Sequence, residues 1–160
     1  MSNTFLSFVV HEELFAVNVQ KVLEVLQQQH ITRVPNAPDY IKGIINFRGE
    51  VVPVFETRTK FNLPQREADK EHVIIVLDLS DNTELFRVGA IVDKVKDVIN
   101  IEDSEIKPVP AMSKDFDSSF LKGIFKLQDN FIMLLDIDKI FSSDEKLFLK
   151  ENQQLETINI

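Results

Sequence analysis

The chain has 160 residues, of which 44% are hydrophobic and 28% charged, as in an ordinary globular protein that buries a real core. It contains no cysteine, which excludes disulfides, thiolate metal sites and thiol catalysis. Its apolar runs are far shorter than the ~20 residues that cross a bilayer, and its first residues lack the basic start of a secretory signal. We therefore expect a cytoplasmic protein without direct membrane insertion.

The charge is spread unevenly along the chain. The formal net charge is -8, and residues 71–160 carry 18 of the 26 acidic residues. This balance disfavours electrostatic binding to nucleic acid or to anionic lipid. Two interpretations of the acidic half stay open, a solubilising surface and a surface matched to a basic protein partner.

The first third of the chain contains two predicted hairpins and a predicted helix. The apolar runs Phe5–Val10 and Leu14–Val19 flank the polar "HEE" and predict a hairpin. The apolar residues of "VNVQKVLEVL" have helical spacing, with Asn18 as a cap, and predict a first helix. A connector with two prolines follows, and then a second hairpin over Ile41–Phe55 with Arg48 at its tip.

The rest of the chain repeats these signals. The polar run Asn62–His72 predicts a linker, and Val73–Leu79 is apolar enough to be a strand covered on both faces. Another hairpin is predicted over Phe120–Asp136, followed by an amphipathic helix over residues 138–152.

The two halves resemble each other, which indicates an internal duplication. "VQKVLEV" matches "VDKVKDV", and "YIKGIINF" matches "FLKGIFKL". Many short strands with closely spaced turns are typical of small β-barrels. We therefore predict a single domain over residues 1–160, mostly β with short helices. It is divided into approximate lobes at 14–72 and 73–145.

Enzyme sites find little support in the sequence. The three histidines lie far apart, the four glycines form no phosphate-binding loop, and no carboxylates are spaced as a catalytic or metal-binding set. We expect no catalytic residue, no metal and no cofactor. A small β-barrel that binds nucleic acid is a second class of function, which would require exposed aromatics among basic residues. The chain has 13 phenylalanines in mostly apolar runs, one tyrosine and no tryptophan, so this class is disfavoured.

The two copies differ at one hairpin tip. Aligning Gly43 with Gly123 places Arg48 opposite Gln128, so the arginine is not needed merely to make the turn. Two hypotheses stay open: Arg48 holds a neighbouring element through Glu24, or it contacts another protein. An exposed ion pair stabilises by only ~0–1 kcal/mol, so its role in the first case would be geometric.

Three segments carry a resemblance to a known family: "FLSFVVHEELFAVNVQKVLEVL", "ITRVPNAPDYIKGIINFRGEVVPVFETRTKF" and "VGAIVDKVKDV". With them the chain resembles the CheW family of chemotaxis coupling proteins. It implies two intertwined five-stranded β-barrels with a core between them. In such folds a terminal strand can cross to the other barrel, so we allow for strand 5–10 crossing between the lobes.

The resemblance also implies a function and two sets of contact residues. It implies a non-catalytic adaptor that joins the cytoplasmic tip of a methyl-accepting chemoreceptor to the regulatory domain of a CheA-type histidine kinase. The positions that match the receptor groove of the family are Val22, Glu24, Arg48, Ile74, Val95 and Val98. For the four apolar residues of this set, a place in the core is an equal alternative.

Kinase contacts are implied only loosely, around Val19 and Lys21 and at Lys107 and Met112. The usual Asp-Leu-Arg of the family is "ETR" here, which we interpret as a surface or hydrogen-bonding variation that leaves the partner open. A CheW-like coupler in a pathway other than chemotaxis, such as pilus motility, is the alternative within the same fold.

Overall fold

The computed structural model describes residues 3–67, 71–80, 84–110 and 119–158. This part of the chain holds ten strands, two α-helices and three short 3₁₀ turns, at Val19–Lys21, Asp103–Glu105 and Ile137–Lys139. The strands are β1 (Thr4–Val10), β2 (Glu13–Asn18), β3 (Val22–Leu26), β4 (Ile41–Phe47), β5 (Glu50–Glu56), β6 (Val73–Asp78), β7 (Arg87–Val92), β8 (Lys94–Asn100), β9 (Leu121–Leu127) and β10 (Asn130–Leu135). The helices are α1 (Thr57–Lys60) and α2 (Ser143–Ile158).

The strands form two five-stranded sheets built to the same plan. Sheet A has the order β8-β1-β2-β10-β9, and sheet B has the order β3-β6-β7-β5-β4. In each sheet one pair of strands is parallel, β2 with β10 and β5 with β7. The predicted fold, mostly β with an internal repeat, is confirmed. Among the described strands each sheet keeps two end strands, so we describe two packed sheets and not two closed barrels.

The predicted lobes do not coincide with the sheets. Sheet B contains the strands between Val22 and Val92, whereas sheet A combines β1 and β2 with β8, β9 and β10. The approximate boundaries at 14–72 and 73–145 divide the chain by sequence, whereas each sheet takes strands from both ranges. The crossing that we allowed for strand 5–10 involves the whole first hairpin, because β1 pairs with β8 and β2 pairs with β10.

Two short crossovers explain why the sheets are intertwined. Only residues 19–21 separate β2 from β3, and only Asp93 separates β7 from β8. In a sheet built from the first half alone, β3 would lie beside β1 in the place of β8 and would run parallel to β2. The segment between β2 and β3 would then have to travel back along the length of a strand, about 20 Å. Three residues span about 10 Å at most. The chain therefore leaves the first sheet at each crossover and continues in the other.

The first predicted helix is wrong. Asn18 does act as a cap, because its side chain accepts a hydrogen bond from the Gln20 N–H at 2.9 Å, but the helical segment ends after the single 3₁₀ turn. Residues 22–26 continue as β3 and pair with β6. Valine at every third position favours a strand because β-branched side chains pack well on a pleated surface.

The C-terminal helix begins later than the predicted residue 138. A separate 3₁₀ turn occupies Ile137–Lys139, and α2 begins at Ser143. A capping box fixes this start, because the Ser142 N–H donates to Glu145 Oε1 at 2.8 Å and the Glu145 N–H donates to Ser142 Oγ at 3.1 Å. The Ser-x-x-Glu spacing was available in the sequence as a signal for this boundary.

The core has three parts, one between the sheets and one on the far face of each. The part between the sheets takes side chains from both, including Phe8, Phe15, Phe55, Ile75 and Leu77. The two others belong to sheet B and sheet A separately. β6 contributes to two of them, because its alternate residues face opposite sides. The prediction that this apolar strand is covered on both faces is therefore confirmed.

A buried ion cluster lies at the second crossover, where Asp93 links β7 to β8. Arg58 Nη2 donates to Asp93 Oδ2 at 2.7 Å, and Arg66 Nη1 contacts Asp93 Oδ1. Arg66 Nη2 also donates to Glu56 Oε1 at 3.0 Å. The backbone N–H of His11, in the turn between β1 and β2, donates to Asp93 Oδ2 at 2.8 Å. The cluster therefore joins elements of both sheets.

The cluster decides between two interpretations made from the sequence. Glu56 and Thr57 are only 3% and 1% exposed, so the variation from the usual Asp-Leu is a hydrogen-bonding one and not a surface one. Glu56 accepts a hydrogen bond from the Arg58 N–H at 3.2 Å, and the Thr57 hydroxyl donates to the Ile91 carbonyl at 2.6 Å. Arg66 comes from the predicted linker, which is in part a structural element.

The cluster also lowers the pKa of Asp93. Burial by itself would raise this pKa, but the hydrogen bonds from Arg58 and from the His11 N–H, together with the charge of Arg66, outweigh burial. A carboxylate whose pKa is lower in the folded than in the unfolded state stabilises the fold above the unfolded value of about 3.9. That stabilisation is lost as the pH falls through the folded pKa.

We predict acid-sensitive stability from Asp93. The free energy of unfolding should fall as the pH is lowered from about 5 to about 2, because protonation removes the partner of two arginines. Urea denaturation at a series of pH values measures this dependence. Asp93→Asn is the control and should show a shallower decline; an unchanged slope in this variant would contradict the assignment.

A second prediction concerns Gly43. Its φ is +149°, and a Cβ there would lie 2.1 Å from the Thr32 carbonyl oxygen, because the connector after β3 pairs with β4 through an antiparallel bridge between Thr32 and Ile44. Gly43→Ala should lower the free energy of unfolding by about 2 kcal/mol or more, as measured by urea denaturation. Gly49→Ala is the control: its φ is +84° but its Cβ would meet nothing within 4 Å. An equal loss in both variants would show that the close approach is unimportant.

Candidate functional site

The hairpin tip between β4 and β5 is a tight turn with an arginine in an unusual backbone conformation. Both central residues have positive φ, +53° at Arg48 and +84° at Gly49. The Asn46 side chain accepts a hydrogen bond from the Gly49 N–H at 2.9 Å and so closes the turn. Glycine adopts this conformation freely, whereas a residue with a Cβ is uncommon there. The turn imposes this conformation on the residue at position 48, and the Arg48 side chain distinguishes the tip through its contacts.

Arg48 forms the ion pair with Glu24 that the sequence suggested. Arg48 Nη2 lies 2.8 Å from Glu24 Oε1, and its guanidinium carbon lies 4.7 Å from the centre of the Phe47 ring. Glu24 is on β3 rather than on a helix, and β3 and β4 are the two end strands of sheet B. The pair therefore joins opposite ends of the sheet. The Arg48 and Glu24 side chains are 63% and 39% exposed, so their role is geometric more than stabilising.

The second copy does not repeat this arrangement in the described residues. Gln128 occupies the tip between β9 and β10 with φ +57°. Asp97, which corresponds to Glu24, donates its backbone N–H to Ser7 Oγ at 3.0 Å and accepts from that hydroxyl through its carbonyl. Only the first copy has the arginine ion pair, so the two tips present different surfaces.

The six residues of the implied receptor groove lie on both sheets. Glu24 and Arg48 are in contact on sheet B, and Val22 begins the strand that carries Glu24. Val95 and Val98 lie on β8 of sheet A, opposite Phe8 and Leu6 of β1.

Burial separates the apolar members of this set. Ile74 is fully buried in the sheet B core, so its side chain is a core residue and not a contact surface. Val22 and Val95 are half-buried against the core between the sheets. Val98 is 63% exposed and is the most accessible of the four. The core alternative is therefore correct for Ile74 and wrong for Val98.

The implied kinase contacts lie at several places. Val19 packs against the core between the sheets, and Lys21 Nζ lies 3.3 Å from Asp138 Oδ2. Lys107 is exposed, and its backbone bridges to Ile124 of β9. Met112 lies outside the described residues. No hydrogen bond or ion pair joins the side chains of the three described residues to one another.

Sequence reasoning missed an exposed apolar surface on sheet A. Phe131 is 56% exposed, and it lines a groove of about 1280 Å³ together with Val9, Leu14 and Met133. Lys94, Lys96, Glu12 and Glu13 are among the charged residues around this groove. The run "NFIMLL" has no polar residue after Asn130 to mark which side of the strand faces solvent.

Two searches of the described ranges bear on the class of function. Within residues 3–67, 71–80, 84–110 and 119–158, no three or more His, Asp or Glu side chains are grouped as a metal site would require. In the same ranges, no helix combines the length and the apolar character needed to span a membrane.

Comparison with known proteins agrees with this geometry. The chain is 35% identical over 138 residues to the chemotaxis protein CheW of Bacillus subtilis, covering 86% of this chain and 85% of that protein. It is 33% identical over 141 residues to CheW of Rhizobium meliloti, covering 88% of each. The crystal structure of the scaffolding protein TtCheW from Thermoanaerobacter tengcongensis superposes with a TM-score of 0.78 at 32% identity, over 91% of this chain and 92% of that one. The family model of the CheW-like domain matches residues 4–145, and the chain belongs to this family.

Proposed function

We propose that this protein is a non-catalytic chemotaxis adaptor in the cytoplasm. It couples the cytoplasmic tip of a methyl-accepting chemoreceptor to the regulatory domain of a CheA-type histidine kinase. The observation that carries the proposal is the CheW-like fold over residues 4–145, in a family whose members include a protein described as a scaffold. The protein reaches the membrane only through the receptor array that recruits it.

The proposed receptor surface consists of Val22, Glu24, Arg48, Val95 and Val98. Receptor tips are helical, and a helix is bound in a groove through spaced apolar anchors with charges at the rim. Val98 is the main apolar anchor because it has the most surface left to bury, and the half-buried Val22 and Val95 extend the apolar floor. Ile74 supports this surface from the core below, where it packs in the sheet B cluster.

The ion pair sets the charged rim of this surface. Gln128 at the second tip shares the positive φ of Arg48, so the ion pair, and not the backbone, distinguishes the first tip. Held at 2.8 Å by Glu24 and against the Phe47 ring, the guanidinium has few conformations left to lose when a partner binds. The pair thereby holds the hairpin tip in place and shapes the rim of the receptor groove.

The proposed kinase surfaces are those around Val19 and Lys21 and around Lys107, with Met112 as a further candidate. Lys21 and Lys107 are accessible cations in an acidic protein, so they are suited to an acidic patch on the kinase. A coupler in a pathway other than chemotaxis would have the same fold and would differ in its kinase. The choice of kinase in the binding experiment therefore separates the two functions.

The ion pair gives a charge-reversal prediction. Glu24→Arg and Arg48→Glu should each weaken binding to a receptor tip by about tenfold, because each places like charges together and releases the hairpin tip. The double variant should bind within roughly threefold of the wild type, because it restores an opposite pair. Calorimetric titration with a soluble receptor tip measures all four proteins.

The control for charge reversal is Lys139→Glu, which breaks an exposed pair with Asp136 in a 3₁₀ turn. It should leave receptor affinity unchanged. If the double variant binds no better than the single ones, the pairing is not the cause and Arg48 contacts the receptor directly.

The adaptor function itself is tested by titrating the protein into the regulatory domain of a CheA-type kinase from the same organism. We expect a saturable one-to-one isotherm at micromolar affinity or tighter, about -8 kcal/mol. Arg48→Glu should keep this affinity, because Arg48 is assigned to the receptor surface. The absence of heat and of co-elution with both the kinase and the receptor tip would refute the adaptor function.

A further inference from the structure

The proposed receptor surface spans both sheets, and among the described strands the chain passes from one sheet to the other at two points. Each crossover leads directly into a strand with proposed receptor residues. The first, at Val19–Lys21, leads into β3, and the second, at Asp93, leads into β8. The relative position of Glu24 and Val98 therefore depends on how these two crossovers are held. This inference rests on the proposed receptor surface.

The two crossovers are held very differently. Lys21 pairs with Asp138 at 3.3 Å, and both side chains are substantially exposed. Asp93 is held by Arg58 and Arg66, whose side chains are about nine-tenths buried. A surface pair yields easily, whereas breaking a buried charge pair leaves an uncompensated charge in the interior. The second crossover is therefore the fixed attachment between the sheets.

Arg66 has a particular place in this attachment. Its Nη2 donates to Glu56 Oε1 at 3.0 Å and its Nε to Glu56 Oε2 at 3.2 Å, while its Nη1 contacts Asp93. Glu56 ends β5 in sheet B, and Asp93 immediately precedes β8 in sheet A. Asp93 in turn accepts from the His11 N–H of the first hairpin. A planar guanidinium with donors on two edges fixes the two carboxylates in one geometry, which a lysine does not do.

We propose that Arg66 is a positioning residue for receptor binding, which fixes the start of β8 against the end of β5 and so places Val95 and Val98 relative to Glu24 and Arg48. Arg66 does not touch the receptor, because it is buried. Its loss lets the sheets sample other relative positions, and a partner that contacts both sheets then binds an incompletely ordered surface.

Binding measurements test the proposal with matched variants. Arg66→Gln should weaken affinity for a receptor tip by about tenfold and change affinity for the kinase regulatory domain by less than about twofold. Arg66→Lys should show an intermediate loss of receptor affinity, because lysine keeps the positive charge but cannot hold two carboxylates on the edges of a planar guanidinium. Lys60→Gln is the control: it removes a cation that pairs with Glu145 at 2.7 Å and not with the crossover carboxylate Asp93. It should leave receptor affinity unchanged.

The same three variants can also overturn the proposal. An equal loss of affinity for both partners in Arg66→Gln would indicate general destabilisation, and so would an equal loss of receptor affinity in Lys60→Gln. If Arg66→Gln does not fold, Arg66→Lys takes its place in both comparisons. A wild-type protein that binds no receptor tip refutes the proposed function instead. Normal receptor binding by Arg66→Gln refutes the positioning role alone.

A distance measurement tests the positioning role without any partner. The chain has no cysteine, so Val25→Cys on β3 and Val98→Cys on β8 give two unique sites for spin labels at exposed positions. Pulsed electron spin resonance should show a narrow distance distribution in the otherwise wild-type protein and in Lys60→Gln. Adding Arg66→Gln should broaden or shift the distribution. An unchanged distribution in that variant would overturn the proposal.

Discussion

The length of two connections determines the architecture of this protein. Three residues between β2 and β3, and one between β7 and β8, are too few for the chain to return along a strand. Each half must therefore donate its first hairpin to the sheet of the other half. The core between the sheets and the two strands that begin at the crossovers all follow from this exchange.

The two copies share their backbone constraints and differ in their charges. Gly43 and Gly123 both lie under a connector whose backbone leaves no room for a Cβ. By contrast, Arg58 and Asp138 occupy equivalent places after β5 and β10 but have opposite charge. Each pairs with the crossover that it meets, at Asp93 and at Lys21 respectively. Both copies therefore keep the glycine that the close backbone approach requires, while each half has its own electrostatic contacts.

Local sequence signals predicted much of the fold. They did not predict the exchange of hairpins between the two sheets. The hairpins, the doubly covered β6 and the pair between Glu24 and Arg48 were predicted correctly, because spacing and turn residues determine them. The apolar spacing of residues 19–26 also fits a strand between two cores, so the helix prediction was wrong. The sequence analysis overlooked Arg66 because a polar segment with a proline is typical of a linker. The carboxylate partners of Arg66, Glu56 and Asp93, are brought to it only in the folded chain.

The exchange of hairpins also governs the order in which the molecule can assemble. All five strands of sheet B lie between residues 22 and 92, so this sheet has its full set of partners when little more than half of the chain has been synthesised. β1 and β2 precede sheet B in the chain but wait for β8 and β10, since Leu6 pairs with Val98, 92 residues later, and Leu14 pairs with Ile132, 118 residues later. Pairings this distant in sequence are slow to form because a long loop must close first. The hairpin of β1 and β2, although made before sheet B, is thus among the last elements to be fixed, and until then its apolar residues need protection from other chains.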